Sequence, residues 1–173
     1  TDATKRIAGV VLAGGRSTRF GSDKADALYR GQKLIDWSIA ALEPHCEALF
    51  VSGRDHPALI GVADRPNAGL GPLGGLAGAM HAAGAARFTH IVSLPCDTPE
   101  VPDHLLEQLS LADGAFVQSC PVIGIWPTRF GETLAAWLAS GRPRSVRVWA
   151  EAQEFEAIQA EPILNINQVI DLP

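Results

Sequence analysis

Cysteine is scarce in this sequence. The chain has three cysteines, Cys46, Cys96 and Cys120, and no two of them are spaced as C-x-x-C. An odd number of widely separated cysteines argues against a disulfide framework and against a structural zinc site. The simplest interpretation is three reduced thiols in the cytoplasm.

Positive charge and long apolar runs are scarce as well. The net charge is −5, and no run of Lys and Arg is long enough to form the basic patch by which proteins neutralise nucleic-acid phosphates. The polar start and the short first apolar run do not resemble a signal peptide, and no stretch approaches the ~20 apolar residues of a membrane span. We therefore expect a cytoplasmic protein without a nucleic-acid or membrane partner.

The remaining composition is that of an ordinary globular protein. The 173 residues are 47% apolar and 19% charged, which suits one folded domain covering residues 1–173. A chain of this length buries roughly 70% of the surface that its unfolded state exposes, so it needs no disulfide or metal to fold.

Short apolar runs alternate with helical patterns along the chain. Strands are predicted at 7–12, 48–51, 61–63, 90–94, 115–117, 122–126 and 155–158, with a short extended segment at 163–166. Helices are predicted at 34–42, 73–86, 102–111, 130–139 and 145–150. This alternation predicts an α/β fold with a mostly parallel sheet and helices on both faces, which binds ligands beyond the carboxyl ends of its strands.

A glycine-rich loop follows the first predicted strand, with the sequence LAGGRSTRFGSDK at residues 12–24. Small residues let backbone N–H groups converge on an anion, and Arg16, Arg19 and Lys24 add positive charge. The loop therefore predicts a triphosphate site, although its spacing is neither G-x-G-x-x-G nor that of a P-loop. The alternative interpretation is a strand-to-helix turn that carries surface cations.

Asp97 stands at the end of another predicted strand, in the sequence PCDTP at residues 95–99. A carboxylate at that end of the sheet projects into the ligand crevice. Mg²⁺ prefers one or two carboxylates together with phosphate oxygens and water, so Asp97 is the predicted metal ligand. The alternative is an aspartate that caps the next helix.

Asp64, Asn165 and Asn167 are further polar candidates. Asp64 is a candidate for recognising a base or ribose edge, with a turn aspartate as the alternative. In the sequence LNIN at residues 164–167, alternation predicts that both amides share one face of a strand, where they suit a polar ring or a phosphate. Ordinary turn chemistry is the alternative there.

The helix predicted at 73–86 carries an unusual number of glycines, at Gly74, Gly75, Gly78 and Gly84. Each interior glycine costs a helix about 1 kcal/mol relative to alanine. We therefore expect a backbone or a ligand to approach this helix closely.

Taken together, these motifs resemble the molybdenum cofactor guanylyltransferases, the MobA-type enzymes. The resemblance spans residues 7–172 and rests on the 12–24 loop followed at family-like intervals by Asp64, GPLGG at 71–75, PCDTP at 95–99 and LNIN at 164–167. The loop alone is shared by cytidylyltransferases for the same cofactor and by sugar-phosphate nucleotidylyltransferases, whereas the terminal Asn-x-Asn favours the guanylyl branch. The resemblance implies a Rossmann-like three-layer α/β sandwich of the nucleotide-diphospho-sugar transferase type.

By motif match, the resemblance also implies an activity and a set of site residues. The implied reaction transfers GMP from GTP to molybdopterin, with Mg²⁺ as cofactor and pyrophosphate as the second product. Catalytic roles fall to Arg19, Lys24 and Asp97, and Asp97 is the implied metal ligand. Implied nucleotide contacts are Leu12, Ala13, Gly14, Gly15, Lys24, Ser52, Asp64 and Asp97, and implied pterin-side contacts are Asn165 and Asn167. Contact with the enzymes that donate molybdopterin and accept the finished cofactor is implied too.

Two positions differ from the usual pattern of the family. Ser52 stands where Asn is frequent, and Cys120 stands where a basic or His-bearing segment is common. Candidates to compensate by meeting a phosphate of the second substrate are Arg142, Arg144 and Arg147. Two alternatives of another class are a nucleotide-binding module without turnover and an interaction domain that binds no nucleotide.

Overall fold

A mixed β-sheet forms the middle layer of the fold. The protein is represented by a computed structural model that describes residues 4–14 and 24–166. In these residues the strands are β1 (Ile7–Leu12), β2 (Leu28–Tyr29), β3 (Gln32–Lys33), β4 (Leu49–Ser52), β5 (Ile60–Val62), β6 (His90–Pro95), β7 (Ala115–Val117), β8 (Cys120–Pro127) and β9 (Glu156–Ile158). Seven of them form one sheet in the order β5-β4-β1-β6-β8-β7-β9. The predicted roles of Gly15, Arg16, Arg19 and Asn167 concern residues outside the described ranges.

The sheet is mostly parallel, as predicted. Strands β5, β4, β1 and β6 run parallel to one another, and β7 runs parallel to β9. Strand β8 is antiparallel to both of its neighbours, β6 and β7. The amino-terminal end of β8 therefore lies at the same edge of the sheet as the carboxyl ends of β1, β4, β5 and β6.

Helices cover both faces of the sheet, because alternate strand residues point to opposite sides. The helices of the described residues are α1 (Leu34–Leu42), α2 (Pro72–Ala85), α3 (Asp103–Ser110), α4 (Gly131–Ala139) and α5 (Val146–Ala152). Helices α1 and α3 pack on one face, whose core includes Val11, Val92 and Leu94. Helices α2, α4 and α5 pack on the other face, around Val10 and Trp126. In this part of the chain, none of the helices has both the length and the apolar character that a membrane span requires.

The glycines of α2 permit the close approach that the sequence predicted. A Cβ added at Gly78 would lie 1.9 Å from the carbonyl oxygen of Ala63, and one added at Gly75 would lie 2.3 Å from Ser52 Oγ. Real Cβ atoms do not make such contacts, so only glycine allows α2 to sit this close to the ends of β4 and β5.

A short hairpin made by β2 and β3 was not predicted from the sequence. The two strands pair antiparallel, and their connecting residues Arg30 and Gly31 have φ angles of 50° and 81°. Two successive residues in the left-handed region are typical of a type I′ turn, whose twist matches that of the flanking strands. The hairpin leads directly into α1.

Candidate active site

The carboxyl ends of the parallel strands open into a cleft of about 610 Å³. The cleft is lined by every described residue that the motif match implied as a nucleotide or pterin contact, namely Leu12, Ala13, Gly14, Lys24, Ser52, Asp64, Asp97 and Asn165. These residues come from distant parts of the chain and meet because the strands that carry them end at one edge of the sheet.

One wall of the cleft is formed by backbone from two strand ends. The N–H of Ala13 donates to the carbonyl of Ser52 at 2.9 Å, which aligns the start of the glycine-rich loop with the end of β4. Gly53 has φ +92° and packs so tightly that an added Cβ would lie 2.1 Å from Gly14 Cα. Sequence reasoning missed Gly53, although a glycine two residues after a predicted strand was the available signal.

Asp97 and Lys24 meet in the cleft. Their Oδ2 and Nζ atoms are 3.5 Å apart, and both side chains are about one-fifth exposed, at 19% and 21%. Burial raises the pKa of Asp97 above its usual value, while the ammonium of Lys24 opposes the rise. Helix α3 begins at Asp103 after Pro102, so Asp97 does not cap it and the alternative interpretation of this aspartate is wrong.

The chemistry of Asp97 fits a hard cation. Its Oδ1 atom is buried and has no hydrogen-bond partner among the described residues. A buried carboxylate oxygen without a donor is costly, and a divalent ion completed by phosphate oxygens and water would satisfy it. No group of three or more potential His, Cys, Asp or Glu ligands occurs in the described ranges.

Ser52 and Asp64 form a second polar pair in the cleft. Ser52 Oγ donates to Asp64 Oδ1 at 3.4 Å, and partial burial raises the pKa of Asp64 against the opposing effect of this hydrogen bond. Both side chains lie against α2, where Gly74 and Gly75 leave room for them. The pair presents one hydroxyl and one carboxylate to a ligand.

Asn165 reaches the cleft differently from the prediction. Residues 163–166 form no strand in the described part of the chain, so the strand predicted for these residues is wrong. Instead, the N–H of Ile166 donates to the carbonyl of Asp97 at 2.7 Å, and this contact brings Asn165 to the cleft.

Two thiols and one apolar side chain complete the lining near Asp97, namely those of Cys96, Cys120 and Val122. All three cysteines of the chain are reduced thiols, as predicted. Burial raises the pKa of Cys120, and the nearby charge of Asp97 raises it further, so this thiol is protonated at neutral pH.

Arg142 and Arg144 lie between α4 and α5, and Arg147 lies in the first turn of α5. Arg144 donates to the carbonyl of Gly69 at 3.1 Å, and Arg147 donates to the carbonyl of Gln118. Arg142 lies instead over the ring of Trp137, 4.9 Å from its centroid. Of the three arginines predicted to meet a second phosphate, Arg144 contacts a residue that lines the cleft, whereas Arg147 lies beside the β7–β8 connection and Arg142 packs on Trp137.

Comparison with known proteins agrees with this architecture. Residues 9–156 match the family described as the MobA-like NTP transferase domain. The chain is 36% identical to the molybdenum cofactor guanylyltransferase of Cereibacter sphaeroides, over 96% of this chain and 94% of that protein. It is 33% identical to the protein of the same name from Rhizobium leguminosarum bv. trifolii, over 96% and 90%.

Solved structures share the fold. Molybdopterin-guanine dinucleotide biosynthesis protein A from Archaeoglobus fulgidus superposes with a TM-score of 0.66 at 20% identity, over 88% of this chain and 82% of that one. The 2-C-methyl-D-erythritol 4-phosphate cytidylyltransferase of Thermus thermophilus gives 0.63 at 14% identity, over 88% and 87%. The fold is thus the three-layer α/β sandwich of the nucleotide-diphospho-sugar transferase type. From the match over residues 9–156 and the extent of its similarity to these relatives, the chain belongs to the MobA-like NTP transferase family.

Proposed function

We propose that this protein transfers GMP from GTP to molybdopterin, forming the guanine dinucleotide form of the molybdenum cofactor and pyrophosphate. The main support is that Lys24, Asp97, Ser52 and Asp64 converge with the backbone of the glycine-rich loop in one cleft. Relatives at 30–36% identity along nearly their whole length are named molybdenum cofactor guanylyltransferases. We also propose contact with the enzymes that supply molybdopterin and receive the product.

The sheet order supports a division of the cleft into two ends. Ser52 ends β4 and Asp64 follows β5 on one side, whereas Cys120 and Val122 belong to β8 on the other side. Strand β6, which is followed by Asp97, lies between them. We assign guanine and ribose to the side of Ser52 and Asp64. The pterin is assigned to the β8 side, next to Asn165 and, outside the described ranges, Asn167.

The proposed reaction is an in-line displacement at phosphorus. The terminal phosphate oxygen of molybdopterin forms a bond to the α-phosphorus of GTP. The bond from that phosphorus to the oxygen bridging to the β-phosphate breaks, and pyrophosphate leaves with the electron pair. No covalent enzyme intermediate is required, so the protein contributes positioning and charge stabilisation.

Each side chain near the triphosphate has a proposed task. The backbone N–H groups of the glycine-rich loop bind phosphate oxygens, and Lys24 offsets their negative charge. Arg19, outside the described ranges, is proposed to share that task. Asp97 would hold Mg²⁺, which when bound withdraws charge from the phosphate oxygens.

Nucleotide-dependent thermal stabilisation tests the proposal. The protein is heated with GTP, CTP, ATP or UTP, each with and without Mg²⁺, and pyrophosphate release is then assayed with molybdopterin. A ligand that binds only the native state adds about 2.7 kcal/mol at 100 times its Kd. We expect stabilisation by GTP with Mg²⁺, followed by pyrophosphate release.

The other outcomes contradict the proposal in different ways. Preference for CTP would identify a cytidylyltransferase. Nucleotide binding without pyrophosphate release would indicate a non-catalytic module, and no stabilisation by any nucleotide would indicate an interaction domain.

A further inference from the structure

A third, small core lies beside the cleft, apart from the two cores that flank the sheet. It consists of buried Tyr29, Leu34 and Ile166, with Ala27 and Trp37 packed against them. Ile166 is 0% exposed. The β2–β3 hairpin and the first residue of α1 thus form a socket for one side chain from the far end of the described chain.

The side chain of Ile166 is buried although the two residues before it are exposed. Leu164 is 41% exposed, and Asn165 is also exposed. Between Ile158 and Ile166 the described residues make no backbone hydrogen bond. Half-buried Ile163 touches the core beneath α1 and α3, and beyond it the docking of Ile166 determines where Asn165 lies.

Backbone contacts join this small core to the polar residues of the cleft. The N–H of Ile166 donates to the carbonyl of Asp97 at 2.7 Å. On the other side of the core, the N–H of Ala27 donates to the carbonyl of Lys24 at 3.0 Å, and the N–H of Leu34 donates to the carbonyl of Ala27 at 2.9 Å. The small core is therefore connected to three residues of the cleft through the backbone. Ile166 is hydrogen-bonded to Asp97 and peptide-bonded to Asn165, and Ala27 is hydrogen-bonded to Lys24.

We propose that Ile166 is a positioning residue that couples the second-substrate end of the cleft to the nucleotide end. The inference rests on the proposed function. A second substrate that contacts Asn165 favours the docked state of Ile166, and docking holds the backbone of Asp97. Mg²⁺ and the nucleotide, which use Asp97 and Lys24, then bind a site that is already ordered, so that each substrate tightens the other's binding.

Linkage makes this coupling measurable from either side, because the factor must be the same for both ligands. The test uses the full chain, molybdopterin and guanosine 5′-(α,β-methylene)triphosphate with Mg²⁺, a GTP analogue that cannot lose pyrophosphate. Calorimetry gives the Kd of the analogue with and without molybdopterin, and the Kd of molybdopterin with and without the analogue. In the unchanged protein we expect each ligand to tighten the other by about tenfold.

The variants are Ile166→Ala and, as a matched control, Ile158→Ala. Ile158 is 4% exposed and lies in the edge strand β9, outside the cleft, so its truncation removes the same atoms from another buried site. We expect Ile166→Ala to bring the coupling factor close to one, with a smaller change in the Kd of the analogue alone. Ile158→Ala is expected to lower the Tm and keep the coupling.

Ile166→Val removes one methyl group and serves if the alanine variant does not fold; we expect it to retain an intermediate coupling factor. An undiminished coupling factor in a folded Ile166 variant would overturn the inference. A coupling factor of one in the unchanged protein would also overturn it, provided that the analogue binds. If the unchanged protein binds no analogue at all, the proposed function fails first.

Discussion

Asp97 carries the negative charge that is paired with Lys24 in the cleft. One of its carboxylate oxygens faces the ammonium of Lys24 at 3.5 Å, and the other is buried without a partner among the described residues. Such an arrangement is costly in the unliganded protein and favourable once a cation is bound, because the cation supplies the missing partner.

The substitution Asp97→Asn tests whether the carboxylate of Asp97 binds the cation. The amide keeps the shape of the side chain and removes its charge, so we expect Mg²⁺-dependent pyrophosphate release to fall by about 10²-fold or more. The control is Asp103→Asn, the same chemical change on α3 outside the cleft, which should leave the rate near that of the unchanged protein. A folded Asp97→Asn protein with an undiminished rate would remove Asp97 from the mechanism.

At the scale of secondary-structure elements, α2 carries two kinds of glycine. Gly75 faces Ser52, and an added Cβ would lie 2.3 Å from Ser52 Oγ. Gly84 is exposed near the end of the helix, where the nearest atom to an added Cβ is 3.7 Å away on Thr128. Gly75 is therefore required for the close packing of α2 on Ser52 in the cleft, whereas the position of Gly84 has room for a side chain.

Alanine substitutions at these two positions should affect different properties, lowering the activity at Gly75 and raising the stability at Gly84. Gly75→Ala must push α2 away from β4 and displace Ser52, and we expect kcat/KM for GTP to fall by up to about 10²-fold, the cost of a ~1 Å misplacement. Gly84→Ala should raise the free energy of unfolding by up to about 1 kcal/mol and leave the kinetics unchanged. Chemical denaturation and steady-state kinetics on both variants check this, and equal kinetic effects would contradict it.

At the scale of the whole molecule, the two edges of the sheet have different tasks. The edge opposite the cleft is held by a polar cluster in which Asp113 accepts from Arg129 at 2.7 Å and contacts His90 Nε2 at 2.8 Å. Hydrogen bonds from Arg129 and His90 lower the pKa of Asp113 to about 2. His90 begins β6, the strand that ends at the cleft next to Asp97.

The lowered pKa of Asp113 predicts how the free energy of unfolding changes with pH. Because the folded pKa lies below the unfolded value of ~3.9, the stabilisation by Asp113 is fully present above that value and is lost as pH falls toward about 2. Asp113 is 67% exposed, so solvent screening reduces the effect to about 1 kcal/mol. Asp113→Asn should therefore lower the free energy of unfolding at pH 7, and the difference from the unchanged protein should shrink below pH 4.

Denaturant titrations of both proteins across pH 2–7 measure that difference. Pyrophosphate release at pH 7 is the accompanying control, because Asp113 lies at the other edge of the sheet. A difference that persists unchanged at pH 2 would show that the aspartate acts through something other than its charge.

The sequence by itself determined the order of the helices and of the seven main-sheet strands along the chain, and the approximate place of the cleft. The periodicity of apolar residues located β1, α1 and β7 to the residue, because such patterns are local and depend on the repeat of each element. Asp97 and the glycine-rich loop could be assigned to one edge because residues that follow parallel strands must meet there.

Tertiary structure decided the features that depend on contacts between distant segments. The β2–β3 hairpin has strands too short to show a period, and the packing of Gly53 on Gly14 becomes visible only when two strand ends are brought together. The same holds for Ile166, whose pattern predicted a strand but which instead fills a socket built by Tyr29 and Leu34. Local sequence carries no signal for such contacts, since their free energy depends on which surfaces the folded chain brings within reach.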